Sequence, residues 1–523
     1  MPNSFSLFRH SKIKAEEAAT GDAIVFLDRD GGLSHFATMR RISIAFVLTI
    51  INGCLTTSGA AAKRMQTIPR LIPFLFLLFV FAGYCHAQTN NVFDIRTFGA
   101  VGDGATLDTK ALQAAIDKCN TSGGGTVLVT GGRYVTGTFY LKNDVTLRVE
   151  SGAMILGSTN IADYTTDTDR TMYNEPYMNR CLIFARDAQN ISIEGHGSID
   201  GQGKSFPNKG DPERNRPKMI RFLNCSHVRV RDITLQFPAS WTSEWRYCND
   251  IAVDNLTIFS RGISNGDGLD FDGCTQVRVN NSNFNTGDDS LCLQTSLTSK
   301  PCKDVFIAGC NFSSRWAGIR IGLLSRGNFE DVTMTNCSFS NHNDSGLKIQ
   351  MNEGGEIKNM IFTHLTMTNV PRPLFLTFCQ KNAWVDAPRN ELPPMKSVRN
   401  LQFDHITVDN ETGTKNSAFV IIGMPGHPVE NLTFSDIRAI FPGGGTAEDA
   451  TNIVAEFTPE NLGNRWPEIG NLRKTVPARG LFAHHVKGIT LHNVEFSTKT
   501  PDARPAVVFS DVTDSKTDGS LVP

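Results

Sequence analysis

The sequence predicts an all-β chain folded as a right-handed parallel β-helix, with one short helix capping its N-terminal end. Three observations lead there. Short β-branched runs recur at a nearly fixed interval, a second strand register repeats inside that interval, and a single helical stretch precedes the first coil.

The recurring runs are Val228-Arg-Val, Ile251-Ala-Val, Val277-Arg-Val, Val305-Phe-Ile, Val332-Thr-Met and Met360-Ile-Phe, starting 23, 26, 28, 27 and 28 residues apart. Each is followed by Asn, Asp or Gly, the residues that turns favour. Later copies begin at Leu401, Leu432 and Ile489, spread out by insertions. A repeat in the range of about 20–50 residues marks a stacked architecture. Strands without amphipathic helices between them make each repeat one coil of a β-helix.

In the second register, Leu269-Asp-Phe-Asp, Ser290-Leu-Cys-Leu, Ile319-Arg-Ile-Gly and Leu347-Lys-Ile-Gln are expected one beneath another. Strand side chains alternate, so first and third positions enter the core and second and fourth face outward. Asp270, Leu291, Arg320 and Lys348 then form an outward column. In the same register Asp267 lies over Asp288, and Gly268 over Asp289.

The helical stretch runs from Thr109 to Cys119, with Leu112, Ala115, Ile116 and Cys119 on one face. Its role is to cover the open end of the solenoid, since a terminal unit must hide the core. The Gly99, Gly102 and Gly104 cluster ahead of it is no phosphate loop, because no Lys-Ser/Thr pair follows.

Residues 1–87 read as a leader and signal region, and 88–523 as a single β-helix domain with C-terminal loop insertions. One signal-like segment starts at Met39 and ends near Asn52-Gly-Cys54; a second runs from Met65 through an apolar Leu71–Tyr84 stretch to Ala87. A basic start, a short apolar stretch and a small residue at the cut define a secretory signal. The second segment fits better, with cleavage expected after Ala87. The chain is therefore expected to be exported, secreted or periplasmic, with no membrane span in the mature form. A signal-anchor and a lipid anchor stay open as alternatives. Loops at Pro442–Gly445 and Asn461–Thr475 are expected to wall off one end of a groove, an arrangement that suits cleavage from a chain end.

Composition narrows the partners. Lys plus Arg number 51 against 52 Asp plus Glu, so the basic footprint of a nucleic-acid binder is missing. Twelve cysteines occur, ten of them after Ala87, and none shows zinc-ligand spacing. Mostly free, buried thiols are expected, and a monomer.

Just ahead of the second register stand Asn265-Gly-Asp-Gly and, a coil later, Gly287-Asp-Asp-Ser. Coils stack about 4.8 Å apart, so Asp267, Asp288 and Asp289 should cluster. Clustered carboxylates push their pKa values apart, supplying an acid and a base together. Capping of turn amides and calcium binding are the other readings of such a cluster, and spacing alone does not choose.

From about Phe93 to Val370 the sequence resembles glycoside hydrolase family 28, the polygalacturonase family of parallel β-helices. The resemblance is carried by Gly197-Ser-Ile-Asp-Gly-Gln-Gly203, Arg216-Pro-Lys-Met-Ile-Arg-Phe-Leu-Asn-Cys225 and Pro238-Ala-Ser-Trp241. Asn265-Gly-Asp267 matches the family's Asn-Thr-Asp motif, and Gly287-Asp-Asp289 its Gly-Asp-Asp motif. The resemblance implies an inverting hydrolase of pectin-like acidic polysaccharide, with no metal and no cofactor. Asp288 would be the general acid; Asp267 and Asp289 would hold and deprotonate the attacking water.

Two departures bear on substrate. Trp316-Ala-Gly318 replaces the family's Gly-His-Gly, and Lys348-Ile-Gln350 replaces its Arg-Ile-Lys. Asn265, Arg320, Lys348, Gln350 and Trp316 are the candidate substrate-binding residues. Arg320 and Lys348 are expected to make a relocated site for an acidic sugar. Trp316 is open between a core residue and a sugar platform. The rival readings are a β-helix polysaccharide lyase and a non-catalytic surface carbohydrate-binding protein.

Overall fold

In each coil, single residues in the left-handed backbone region turn the chain from one sheet to the next. Asp331, Asn359, Asn400 and Asn431 hold φ of 57°, 57°, 59° and 56° at equivalent bends. Asn and Asp tolerate this region better than other non-glycine residues. Their side chains then bond from coil to coil: Asn359 Nδ2 donates to Asp331 Oδ1, Asn400 to Asn359, and Asn431 to Asn400, each at 3.1 Å.

The computed structural model describes residues 91–168, 179–207, 216–381, 392–410, 413–463, 465–472 and 474–519. Both signal-like segments, and the expected cleavage after Ala87, lie outside these residues. Strands stack in parallel ladders, coil on coil, through one continuous sheet system. The repeat positions Val228, Ile251, Val277, Val305, Val332, Met360, Leu401, Leu432 and Ile489 pair in that order without a slip. All are buried. The chain is a parallel β-helix.

Inside, like stacks on like. Phe284, Phe312 and Phe339 lie face to face with centroids 4.8 and 5.2 Å apart, and Phe362, Phe403 and Phe434 repeat this at 5.4 and 4.8 Å. Each pair adds about 0.5–1.5 kcal/mol beyond its area. Helix α1 (Thr109–Thr121) buries Leu112, Ala115, Ile116 and Cys119 against the first coils. Ten cysteines among the described residues are all free and buried. Among the same residues no helix is long and apolar enough to cross a membrane.

One sheet carries the second register, in strands β1 (Ser243–Arg246), β2 (Leu269–Asp272), β3 (Leu291–Thr295), β4 (Ile319–Ser325), β5 (Ser345–Met351) and β6 (Arg372–Phe378). Here the expected alignment is corrected by one residue. Leu269 pairs with Leu291, not Ser290, and Asp270 with Cys292; Cys292 in turn pairs with Arg320. The reason is burial: this register puts Leu291 and Leu293 into the core, where the other would have put Ser290 and Cys292. Leucine gains about 1.5–3 kcal/mol from such burial, far more than serine. The outward column therefore reads Arg221, Glu244, Asp270, Cys292, Arg320, Lys348 and Phe375.

Phe312→Ala should cost about 3–5 kcal/mol, because both flanking rings lose a partner and a cavity opens. Phe306→Ala, on the exposed side of a strand in the same coil, should change stability by no more than about 0.5 kcal/mol. Denaturant midpoints of the two variants compare them directly.

Candidate active site

The acidic residues stand in the turns that lead into β2 and β3. Glycine is required there because the two backbones nearly touch. A Cβ on Gly287 would meet the Ile263 carbonyl oxygen at 2.2 Å, and one on Gly268 the Ser290 oxygen at 2.2 Å. Gly268 N donates to Asp289 O at 3.0 Å, which sets the stacking. Gly287 N and Asp288 N in turn approach the Gly266 carbonyl at 3.2 and 3.4 Å, which holds the two acidic turns against each other.

One carboxylate oxygen from each of Asp267, Asp288 and Asp289 lies within 4.8 Å of the others. That is closer than the separation of about 6.5–9.5 Å typical of inverting glycosidases. Asp267 is buried, and its Oδ1 lacks a hydrogen-bond partner. Burial, then the charges of Asp288, Asp270 and Asp289, push its pKa well above the usual carboxylate range. Asp270, also buried, is raised mainly by desolvation.

Asp289 is pinned from two sides. Ala317 N donates to its Oδ1 at 3.0 Å, and Arg320 Nη1 to its Oδ2 at 2.9 Å. Asp288 is only half-buried. Its Oδ1 accepts from Asp289 N at 3.1 Å, and its carbonyl accepts the Thr286 and Ser314 hydroxyls at 2.7 and 2.6 Å. Asp288 is the member of the cluster that meets solvent most directly. A calcium ion suits the group poorly, since it wants about 6–8 oxygens and Asp289 is already committed to the Arg320 cation.

Arg320 and Lys348 are neighbours in register on β4 and β5. Neither is an unoccupied cation. Arg320 also bonds Gln350 Oε1 at 3.2 and 2.9 Å and lies 3.5 Å from Glu468. Lys348 is fully buried, 2.7 Å from Asp344 and in close contact with Glu468. Burial works against the Lys348 charge, but Asp344 and Glu468 outweigh it and raise its pKa. Burial likewise opposes ionisation of Asp344, yet Lys348 and Arg372 hold it down at about 2. Gln350 Nε2 donates to the Pro467 carbonyl at 2.8 Å. The anion expected between the two cations is thus supplied by the chain's own Glu468.

Trp316 is 38% exposed, so it is not a core residue, and Lys348 Nζ sits 4.7 Å from its ring centroid. Asn265 takes φ of 51°, and its Oδ1 accepts from the buried Arg216 at 2.9 Å. Asn265 therefore anchors the turn ahead of Asp267.

Comparison with known proteins fits this geometry. The sequence profile of glycosyl hydrolases family 28 matches residues 119–458. The chain belongs to that family. A probable polygalacturonase of Vitis vinifera is 27% identical over 315 residues, covering 56% of this chain and 63% of its own length. An exo-poly-alpha-D-galacturonosidase of Dickeya chrysanthemi is 25% identical over 392 residues, 64% of each chain. The chain thus spans less than two thirds of either relative. The family 28 exopolygalacturonase of Yersinia enterocolitica superposes with a TM-score of 0.65 at 22% identity, over 82% of this chain and 79% of that one, and so shares the fold.

Other charged residues of this family 28 chain were not singled out from sequence. Glu244 binds Lys218 at 2.8 Å and Arg221 at 2.5 Å, all three fully buried. Burial opposes the Glu244 charge, and Arg221 and Lys218 hold it at about 2. Lys218 lies 3.6 Å from the Trp241 ring centroid, and burial brings it down to about 8. Strand parity carries a signal for Arg221 and Glu244, because both share the outward column with Asp270 and Arg320. Glu468 carries no such signal: it comes from a loop with no periodicity.

The raised pKa of Asp267 gives a stability prediction with a definite sign. Above the ordinary aspartate pKa near 3.8 the unfolded chain ionises this group while the folded chain keeps its proton, so stability falls as pH rises towards the folded value. Asp267→Asn, which imitates the protonated form, should unfold at a higher temperature than the parent at pH 7. The advantage should disappear below about pH 4, as read by melting curves at both pH values.

Proposed function

We propose that this chain hydrolyses glycosidic bonds in pectin-type polysaccharide by general acid and base catalysis. The observation that carries the reading is the convergence of three carboxylates, with one oxygen of each within 4.8 Å of the others, at the turns before β2 and β3. Carboxylates this close titrate as a unit. Asp288 meets solvent, so it passes the proton to the leaving oxygen. Asp289, ion-paired with Arg320 at 2.9 Å, deprotonates the water, and Asp267, which burial keeps protonated, holds that water by donating a hydrogen bond. Substrate entry would separate the acid from the base to admit that water.

A lyase would need an uncommitted base near the sugar, and Arg320 and Lys348 are both tied into ion pairs. The hydrolase reading is therefore favoured. The signal-like segment ending at Ala87 supports export, which brings the enzyme to a polymer too large to enter a cell. Asp288→Asn should lower turnover by about 10²–10⁴-fold, measured as reducing-sugar release from a panel of pectins. Unchanged release would remove the mechanism.

Glu468 refines the substrate. It occupies the point between Arg320 and Lys348 where a uronate carboxylate would otherwise bind. The subsite beside Trp316 accordingly takes a sugar whose carboxyl is absent or esterified. Glu468→Gln should raise kcat/KM on free-acid oligogalacturonides about 10-fold or more relative to methyl-esterified ones, the worth of a charge-assisted hydrogen bond. An unchanged ratio would return the subsite to free uronate.

A further inference from the structure

On the strand Leu481–Thr498, His484 and His485 are consecutive, and a regular strand would send them to opposite faces. Instead His485 takes φ of 52°, and the two rings lie together with centroids 3.8 Å apart. Both Nε2 atoms face one oxygen: Glu456 Oε1 is 3.5 Å from His484 and 3.0 Å from His485. The opposite nitrogens are engaged elsewhere. His484 Nδ1 lies 3.0 Å from the Ser510 carbonyl oxygen, and His485 Nδ1 is in close contact with the Asp511 carboxylate.

These outer contacts decide the chemistry. With Nδ1 of each ring turned to an oxygen acceptor, both Nε2 atoms point at the Glu456 carboxylate, and the three donor atoms converge on one point. Nδ1–H bonded to a carbonyl or carboxylate is the usual support for a metal-bound histidine.

We propose that Glu456, His484 and His485 bind a zinc ion. Zinc takes imidazole nitrogen and carboxylate oxygen at about 2.0–2.2 Å, so tetrahedral ligands stand roughly 3.3–3.5 Å apart. The 3.0 and 3.5 Å from Glu456 to the two rings bracket that spacing, and all three ligand atoms lie within 4.8 Å of one another. Glu456 is the most exposed of the three ligands, which leaves a fourth position for water. The consequence is mechanical. Glu456 belongs to the long insertion after Phe441, next to Phe457, whose ring packs 6.2 Å from that of Phe375. Further along the same insertion Glu468 reaches Arg320 and Lys348. Zinc would rivet this insertion to the coil wall at its exposed edge.

The test uses the full chain, stripped with chelator and dialysed against zinc sulfate. One zinc per chain is expected, with a higher melting temperature than the stripped protein. The double variant Glu456→Ala/His484→Ala should lose both the metal and the thermal shift. His405→Ala should keep both; it removes a separate group, Asp404, His405 and Asp436, which could also attract an ion. Should the double variant misfold, cobalt added to the parent chain decides, since a tetrahedral site gives intense visible absorption and an octahedral one does not. Absence of stoichiometric zinc, retention of zinc by the folded double variant, loss of zinc from His405→Ala, or an octahedral cobalt spectrum would each overturn the proposal.

Discussion

Each strand residue in this solenoid is stacked on a fixed counterpart one coil away, and the core and the carboxylate turns follow from that pairing. Parallel strands about 4.8 Å apart leave little freedom: a side chain meets the same two neighbours for the length of the stack. In the core this aligns phenylalanines into columns. On the outer face it forces charges together. Asp267 must share space with Asp289 because their coils are adjacent, and burial then denies the pair the water that would screen it. The perturbed acid is a product of the fold as much as of the residues.

The charges on the outer column are arranged to survive burial. Removing an ion from water costs several kcal/mol, and a partner recovers this only with good geometry. Glu244 is held between Lys218 and Arg221, and Lys348 between Asp344 and Glu468. Asp267 and Asp270 differ: both are buried carboxylates, and among the described residues neither has an Arg or Lys in ion-pair contact, while each has a buried oxygen without a hydrogen-bond partner. Buried carboxylates without a countercharge mark where chemistry is to be expected. Further along, the same column turns apolar at Phe375, Val420 and Phe482. There Val454, Phe457, Leu462 and Val476 of the late insertion cover it, and this anchors the loop that delivers Glu468.

Much of this was legible in the sequence, for a physical reason. Positions such as Val277 and Val305 are fixed by burial on every coil, so their spacing survives as a readable period. The capping helix showed itself through Leu112, Ala115, Ile116 and Cys119. The register of Ser290-Leu-Cys-Leu was misread by one residue, because the repeated Gly-Asp pairs looked equivalent. Side-chain volume decides a register more strongly than a motif does: Leu291 and Leu293 take the core positions that the expected alignment gave to Ser290 and Cys292. Asp267, Asp288 and Asp289 came together all the same, since a slip of one residue still leaves neighbours on one turn. Glu468 was beyond reach. Nothing local to Pro467-Glu468 records that Lys348 lies beneath it, and a contact made by an aperiodic loop leaves no trace in spacing.

The bends made by single Asn, Asp or His residues have an evolutionary corollary. Since each bend is set by one residue and tied only to the bend below, the chain between bends can lengthen without disturbing the stack. Leu401 and Leu432 are 31 residues apart, while Leu432 and Ile489 are 57 apart, yet all three pair in perfect register. Insertions are thus free to be exchanged, lengthened or lost while the carboxylate turns stay where they are. A lineage built this way can change which sugar it admits by trading one loop and keep its reaction untouched, so that diversity of diet accumulates at the rim of the groove and constancy at its floor.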